Sequence, residues 1–250
     1  MPTRGLGGTP SDQLPAVLAA GSTDVTMTFV SLSAREPDGR DAEYLEWHSL
    51  DHRPEQYRVA GLRHSLRLVS TPACRAHRAV SEARYDATDH VMIYFWTSED
   101  SLAPFGALSD ALAGDRRGVS LPSVAFGTFR LVGKVAAPRV AVGADVLPWR
   151  PALGAYLLIE QGEASPPGPV VEVDGVAGAW WHRGLLTETP FTIDSRGLVF
   201  TILFLDDDPV AVAQRLRGPL EERWSRGDTV AFLAAPFHLL VPFAWDRYLP

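Results

Sequence analysis

Two histidines in one predicted helix are the side chains in this sequence most suited to chemistry. His48 and His52 are four residues apart, so on a helix they share a face with Tyr44 and Asp51, and Trp47 lies beside them. Histidine is the commonest general base in enzymes, and a neighbouring carboxylate or phenol can orient it. The spacing therefore indicates a site in which His52, aided by His48 or Asp51, takes a proton from a bound substrate.

The same spacing has two other interpretations. A His-x-x-x-His pair on a helix can bind a metal ion, but Ser49 stands where a zinc-protease helix has its glutamate, and no third ligand is evident. The histidines can also cap the end of the helix or lie at its solvent-facing edge without any catalytic role. We predict no metal. The spacing alone does not decide whether the histidines act as a general base or only cap the helix.

The overall composition narrows the classes of partner. The chain has 250 residues, of which 46% are hydrophobic and 21% charged, which is typical of a globular protein. Its 23 basic and 30 acidic residues give a net charge of −7, so we expect no nucleic-acid partner and no anionic membrane as partner. The single cysteine, Cys74, excludes an intrachain disulfide and a multi-cysteine metal centre.

Two patterns bear on location. No apolar run reaches the roughly 20 residues that a membrane helix needs. The first residues also match a secretory signal poorly, because they contain one basic residue, three prolines and only a short apolar run. We therefore expect a cytoplasmic protein.

The first half of the chain predicts a β-α-β-β-α-β order, the ferredoxin-like split unit. The helix that carries the histidines is predicted to run from Asp41 to Arg53, because Pro54 disfavours its continuation. A second helix is predicted to follow the capping residue Ser98 and to end before Gly114. The four strands are predicted at Val25–Leu32, Leu62–Val69, His90–Thr97 and Ser123–Val132.

The second half repeats this pattern without its first helix. Its last two strand-like segments follow their counterparts closely in spacing, with Leu205 109 residues after Trp96 and Phe237 108 residues after Phe129, which indicates an internal duplication. The four segments of this half lie at Ala155–Gln161, Gly175–His182, Leu198–Leu205 and Phe237–Val241. Only about fourteen residues, three of them prolines, separate the first two of these strands, so a full helix cannot fit there. Chemistry that depends on the first helix must therefore lie in the first repeat.

These patterns predict the fold class. Both faces of His90–Thr97 and of Leu198–Leu205 are apolar, so each sheet must be covered by helices on one face and by the other repeat's sheet on the second. The prediction is an α+β fold of two tandem ferredoxin-like repeats packed sheet to sheet as a pseudo-dimeric α/β barrel. We expect a loose leader at 1–22, the first repeat at 23–135, a Pro- and Gly-containing linker at 136–152 and a second, degenerate repeat at 153–250.

The first helix and the strand after it resemble the motif of the EthD-like branch of the dimeric α/β-barrel superfamily. The residues that carry the resemblance are Tyr44, Trp47, His52, Pro54 and Gly61-Leu62-Arg63. This chain departs from the motif at Ala60, where proline is usual. The resemblance extends through the order of elements over residues 23–135. It implies a cavity between the helices and the sheet of the first repeat, with His52 at the family's histidine and Tyr44 and Trp47 at its aromatic positions. His48 is not part of the match.

Three residues on the strands are further candidates for binding a substrate. Tyr94 and Trp96 on the third strand can line the same cavity, although aromatic side chains on strands more often pack in a core. Arg67 on the second strand can pair with a substrate carboxylate or with Asp51, although a surface position is commoner for arginine.

The resemblance leaves the function open, because such barrels include cyclases, lactone isomerases, cofactor-free monooxygenases, haem enzymes and proteins of no known activity. We expect a cofactor-independent enzyme, an isomerase, a cyclase or a related proton-transfer catalyst, acting on an apolar cyclic or aromatic metabolite. The alternative is a non-catalytic metabolite-binding barrel, which the degenerate second repeat favours. A haem protein would need an axial ligand such as His182 or His238 in an open pocket. Because one chain supplies both sheets, a monomer is favoured over a homodimer.

Overall fold

Nine β-strands and five α-helices occur in the part of the chain that the computed structural model describes, which is residues 25–116, 119–185 and 195–250, with the side chains at 113–116 excepted. The predicted leader at 1–22 lies outside these residues. The first half contains β1 (Met27–Ser33), α1 (Asp41–Trp47), a π-helical turn (His48–His52), α2 (Arg53–Gln56), β2 (Leu62–Val69), α3 (Pro72–Ala76), β3 (Val80–Ser81), β4 (His90–Trp96), α4 (Leu102–Arg116) and β5 (Ser123–Ala136). The second half contains a 3-10 turn (Ala144–Trp149), β6 (Gly154–Gly162), β7 (Val176–Leu185), β8 (Leu198–Leu205), α5 (Pro209–Ser225) and β9 (Thr229–Leu239).

The strands of the two halves form one closed antiparallel ring. The order is β2-β4-β1-β5 in the first half and β7-β8-β6-β9 in the second. β5 pairs with β7, and β9 pairs with β2 through Leu68 opposite Leu239, so eight strands close on themselves while the short β3 pairs with β9. Each half has the strand order of a ferredoxin-like repeat. The predicted single-chain α/β barrel is confirmed.

The central strand β4 is buried on both faces, as its apolar pattern predicts. On the barrel side, Phe95 packs edge-on against Trp180 of the second half, with ring centroids 5.6 Å apart. On the outer side, Tyr94 and Trp96 pack against Phe105 of α4, at 4.9 Å and 5.0 Å between centroids. Side chains of the two halves therefore share the barrel interior, and the helices cover the outside.

The helix that carries the two histidines is longer than predicted. In the π-helical turn the N–H of Arg53 donates to the carbonyl of His48, five residues back, and α2 then continues to Gln56. The prediction that Pro54 ends the helix at Arg53 is wrong. Because Pro54 follows the π turn at the start of a new α turn, its missing N–H and fixed φ are tolerated there.

Two other boundaries also differ from the prediction. α4 runs to Arg116, so Gly114 lies inside the helix and not after it. β9 begins at Thr229, well before the predicted Phe237, and Pro236 lies within it. Glycine disfavours a helix and proline disfavours a strand, but the packing of α4 on the sheet and the pairing of β9 with β6 override these local preferences here.

The helices that cover the sheet of the second half differ from those of the first half. Between β6 and β7 the described chain forms a 3-10 turn (Gly168–Glu172) and no α-helix, as predicted. α5 covers this half, and the carboxylate of Asp208 caps it by accepting from the N–H groups of Val210 and Ala211. Among the described helices, none is long and apolar enough to cross a bilayer. A site that depends on α1 and α2 therefore lies over the first half's sheet.

Candidate functional site

A cavity of about 300 Å³ lies between the α1–α2 helix, α4 and the outer face of the first half's sheet. We call it the helix cavity. Its volume is at the lower end of the range of about 300 to 1,000 Å³ for ligand pockets. The helix cavity lies between the helices and the sheet of the first half, where the resemblance to EthD-like proteins implies a cavity. Six of the residues that the sequence singled out line it: Tyr44, Trp47, His48, His52, Arg67 and Tyr94.

The aromatic rings of the helix form a row along one wall of the helix cavity. The ring centroids of His48 and His52 are 5.3 Å apart, Trp47 is 4.9 Å from His52, and Tyr44 is 5.7 Å from His48. The two imidazoles therefore lie side by side between two larger aromatic rings. Such a wall presents π-faces to a flat apolar ligand and polar ring nitrogens beside them.

Gln56 connects the histidine row to the sheet. The Tyr94 hydroxyl donates to Oε1 of Gln56 at 2.8 Å, and Nε2 of Gln56 lies 3.0 Å from Nε2 of His52 and 3.2 Å from Oγ of Ser109. Because the amide nitrogen can only donate, Nε2 of His52 accepts in this arrangement. The neutral ring then carries its proton on Nδ1. The tautomer of His52 thus follows from the amide orientation of Gln56.

Tyr94 is held as a neutral hydrogen-bond donor. Burial raises the pKa of its phenol well above the usual value, and the charge of Arg67 and the bond to Gln56 oppose this only in part. At neutral pH the phenol therefore keeps the proton that it donates to Gln56. The whole arrangement from Tyr94 through Gln56 to His52 has one consistent direction of donation.

Arg67 is buried, which the sequence did not favour. Its side chain is 4% exposed, its Nη2 donates to the Tyr44 hydroxyl at 3.3 Å, and its guanidinium lies 5.3 Å from the centroid of that ring. Within the described residues no carboxylate lies within ion-pair distance of Arg67, so the expected pairing with Asp51 is not formed. A buried cation without a carboxylate favours an anionic group beside it.

Two of the predicted site residues lie outside the helix cavity. Asp51 is exposed and lines a shallow groove on the outer side of the helix, which it shares with Trp47 and His52. The extra residue in the π-helical turn explains this, because it rotates Asp51 away from the face that α-helical spacing gives it. Trp96 is fully buried against Phe105 and faces no part of the cavity. Neither residue is placed to touch a ligand there.

The structure adds residues that sequence reasoning missed. The polar ones are Gln56, Ser109 and Asp110, together with Ser31, Ser33 and Ser123 on the strands. Gln56 had a signal in the sequence, because it extends the four-residue ladder of Tyr44, His48 and His52. Ending the predicted helix at Arg53 hid it. The serines and α4 residues reach the site only through the tertiary fold.

A buried hydrogen bond between a histidine and an aspartate fixes the start of the site helix to the sheet. The Nε2 of His90 on β4 lies 2.7 Å from Oδ1 of Asp41 at the first position of α1, and both side chains are buried. Burial acts to raise the pKa of Asp41, but the bonds from His90 and from the N–H of Glu36 outweigh it and hold the pKa low. Burial lowers the pKa of His90, against the pull of Asp41. The pair is therefore a carboxylate and a neutral imidazole that donates to it.

Neither of the two histidines that a haem protein would need as an axial ligand is suited to that role. His182 lies inside the barrel with Nδ1 3.1 Å from the carbonyl of Phe200, and the interior gap beside Phe200 measures only about 20 Å³. The ring of His238 stacks on Tyr248 at 3.9 Å between centroids. Neither imidazole borders the helix cavity. In the described parts of the chain, no three His, Cys, Asp or Glu side chains cluster as a metal site would require.

Comparisons with known proteins support the fold. No family model matches the chain, and no curated protein matches it significantly. A solved structure assigned as a chlorite dismutase superposes with a TM-score of 0.53 at 13% identity, over 86% of this chain and 95% of that one. A dye-decolorizing peroxidase from Bacteroides thetaiotaomicron gives 0.53 at 12% identity, over 91% and 95% of the two chains. A dye-decolorizing protein from V. cholerae gives 0.50 at 10% identity, over 92% and 98%. The chain is thus similar in fold to dimeric α/β-barrel proteins.

Proposed function

We propose that this protein is a cofactor-independent enzyme that moves a proton on a small, largely apolar, cyclic or aromatic metabolite. The observation that carries the proposal is the pairing of two imidazoles, 5.3 Å apart, on the wall of a cavity that also contains a buried guanidinium. Many isomerisations and cyclisations of ring compounds begin with the removal of a proton from carbon. They need a base near neutral pH and a positive group for the anion that results.

The residues divide these tasks. A C–H proton of the ligand passes to an imidazole of the His48–His52 pair, and the electron pair left behind delocalises as an enolate or phenolate. The guanidinium of Arg67 stabilises that anion from the opposite wall, and the proton returns from the imidazolium to another atom of the ligand. Gln56 orients His52 before the proton is transferred, and its bond to Nε2 must open or shift when that nitrogen takes the proton.

Solvent deuterium exchange tests the proposal even when the reaction product has not been identified. The protein is incubated in D₂O with a panel of enolisable ring compounds, namely cyclic β-diketones, unsaturated γ-lactones and β,γ-unsaturated cyclic ketones. Deuterium at carbon is read by mass spectrometry and NMR. We expect enzyme-dependent exchange for at least one class, and a fall of about 10²- to 10⁴-fold in His52→Ala.

A matched control is His77→Ala, because His77 caps the C-terminal end of α3, does not line the helix cavity and contacts the carbonyl of Ala73. This variant should keep the wild-type rate. An exchange rate in the wild type no higher than in buffer, or equal losses in both variants, would contradict the proposal. A purified protein with the visible absorption of haem would also contradict cofactor independence.

The alternative is a barrel that binds a metabolite without changing it. The specific observation in its favour is that Nε2 of His52 already accepts from Gln56, so the network is satisfied without any proton transfer. The same experiment separates the two functions. A ring compound that binds in the helix cavity but exchanges no deuterium would establish the binding protein.

Three finer assignments accompany the proposal. The chain would belong to the EthD-like branch, supported by the helix motif, and would derive from a duplication, supported by the matching strand order of its halves. The repeats would lie at 23–135 and 153–250 with the linker at 136–152. The protein would be a cytoplasmic monomer without nucleic-acid or membrane partners. Light scattering should give the mass of one chain, and a mass of two chains would contradict the monomer.

A further inference from the structure

A second cavity lies on the other side of Arg67. It measures about 270 Å³ and is bounded by the π-helical turn, β2, the 3-10 turn before β6 and the residues that follow β9. We call it the linker cavity. Of the described residues, Arg67 alone lines both it and the helix cavity. Arg67 therefore borders two cavities, and the helix cavity is only one of them.

The lining of the linker cavity is positively charged. It contains Arg53, Arg67 and Arg150 and none of the described Asp or Glu side chains. Arg150 is neutralised by Asp206, whose carboxylate lies 2.9 Å away. Arg53 and Arg67 have no carboxylate within ion-pair distance among the described residues. In a chain with a net charge of −7, two such cations beside one cavity indicate an anion that binds between them.

Two buried polar atoms at this cavity lack hydrogen-bond partners in the described structure. They are Nε of Arg67 and Oγ of Ser49, whose residues are 4% and 8% exposed. Buried donors without acceptors are rare in native proteins because each one loses its hydrogen bonds to water. Both groups donate, and an oxyanion supplies the acceptors that they lack.

The rest of the lining is flat and apolar. Trp149, 43% exposed at the rim, lies against His64 with ring centroids 5.5 Å apart, and Pro148 and Leu239 close the sides. Burial and the charge of Arg53 lower the pKa of His64 to about 4, so this ring is neutral at pH 7. The cavity thus offers a cationic end and an aromatic body.

We propose that the linker cavity binds a small anionic molecule, an aromatic carboxylate or aryl phosphate, whose oxyanion accepts from the guanidinium groups of Arg53 and Arg67 and from the hydroxyl of Ser49. This site shares Arg67 with the proposed catalytic one but lies in a different cavity, and its test does not rely on catalysis. Arginine is suited to either oxyanion because its fork of N–H groups donates to two oxygens at once.

Three probes of one shape test the site: benzoate, phenyl phosphate and the neutral benzamide, titrated into the full chain by calorimetry and tryptophan fluorescence. We expect one of the two anions to bind about tenfold more tightly than benzamide, or better. A preference for benzoate would indicate that the natural ligand is a carboxylate, and a preference for phenyl phosphate would indicate a phosphate. Arg53→Gln should lower the affinity for that anion by about tenfold or more. Ser49→Ala should lower the affinity several-fold, and Arg53→Lys should retain part of it.

Arg58→Gln is the matched control, because Arg58 follows closely in sequence but is exposed and paired with Glu55 at 2.8 Å. This variant should bind like the wild type. His52→Ala should also bind like the wild type, which separates this site from the helix cavity. Equal affinity for benzamide, equal losses in Arg58→Gln, or a loss in His52→Ala with none in Arg53→Gln or Ser49→Ala would overturn the proposal.

Discussion

Gln56 determines what His52 can do. Its amide nitrogen donates to His52 while its carbonyl oxygen accepts from Tyr94. In this orientation the neutral His52 ring carries its proton on Nδ1, whereas a turned-over amide would accept from His52 and donate to the Tyr94 oxygen. Through Gln56, Tyr94 therefore helps to orient a histidine that it does not touch.

Removing the Tyr94 hydroxyl tests this dependence. Tyr94→Phe leaves the buried carbonyl of Gln56 without its donor, so we expect the free energy of unfolding to fall by about 1 to 2 kcal/mol. Deuterium exchange should also fall, by up to roughly tenfold, because His52 is less firmly oriented. Urea denaturation and the exchange assay measure the two effects.

The matched control is Tyr85→Phe, another buried tyrosine that lies apart from the helix cavity. It should leave exchange unchanged. If both variants behave alike in the exchange assay, the orienting role of Tyr94 is wrong.

The sequence predicted the histidines, Tyr44, Trp47 and Tyr94 at one cavity, because helical spacing and strand alternation place side chains directly. It did not predict the burial of Arg67, since an arginine on a strand is usually exposed and only the packing of α1 over β2 covers this one. Asp51 was misplaced because α-helical spacing does not hold through a π turn.

The site helix is an element whose position is fixed at both ends. Asp41 and His90 tie its start to β4, and Gln56 ties its end to the same strand through Tyr94. The π-helical turn lies between these anchors and holds both histidines. Such turns often occur at functional sites, because the extra residue is tolerated only where the packing around it supports it.

The turn into β2 depends on Gly61. Its φ is +88°, and a Cβ there would overlap the side chain of Ser101 and approach Oγ1 of Thr97 to 3.0 Å. We expect Gly61→Ala to lower the free energy of unfolding by about 1 to 3 kcal/mol. The new Cβ would clash with Ser101, and alanine is strained in the left-handed backbone conformation that Gly61 adopts. Thermal and urea unfolding measure this.

Gly218→Ala is the matched control, because Gly218 lies in α5 with open space around its Cα. It should raise stability by up to about 1 kcal/mol through helix propensity. A Gly61→Ala variant as stable as the wild type would show that the turn is not required.

Element boundaries were less predictable than element order. The order followed from periodicity, whereas the end of the site helix and the start of β9 did not, because a proline in each reads locally as a breaker. Long-range pairing with β6 and the π turn accommodate those prolines. Neither effect is encoded in neighbouring residues alone.

The whole molecule is a barrel whose interior and outer layers bury several neutral histidines. Burial lowers the pKa of His182 to about 4, burial and Arg53 lower that of His64 to about 4, and burial also lowers the pKa of His90 and His238. In the unfolded chain the pKa of a histidine is about 6.5. The unfolded state therefore binds more protons as the pH falls below that value.

Stability should accordingly fall as the pH drops from 7 to 5. The fully buried His182 alone contributes a slope of up to about 1.4 kcal/mol per pH unit below its unfolded pKa. Urea denaturation at pH 7, 6 and 5 measures the slope, which should become shallower in His182→Leu. A slope unchanged by this substitution would contradict the buried, neutral state of His182.

The central claim is that His48 and His52 act together on one ligand in the helix cavity, and deuterium exchange in a double-variant cycle tests it most directly. The rates of wild type, His48→Ala, His52→Ala and the double variant are compared on the ring compound that exchanges fastest. If the histidines act as a unit, each single variant should lose about 10²- to 10⁴-fold and the double variant little more. Losses that multiply in the double variant, or a single variant with the wild-type rate, would contradict the account.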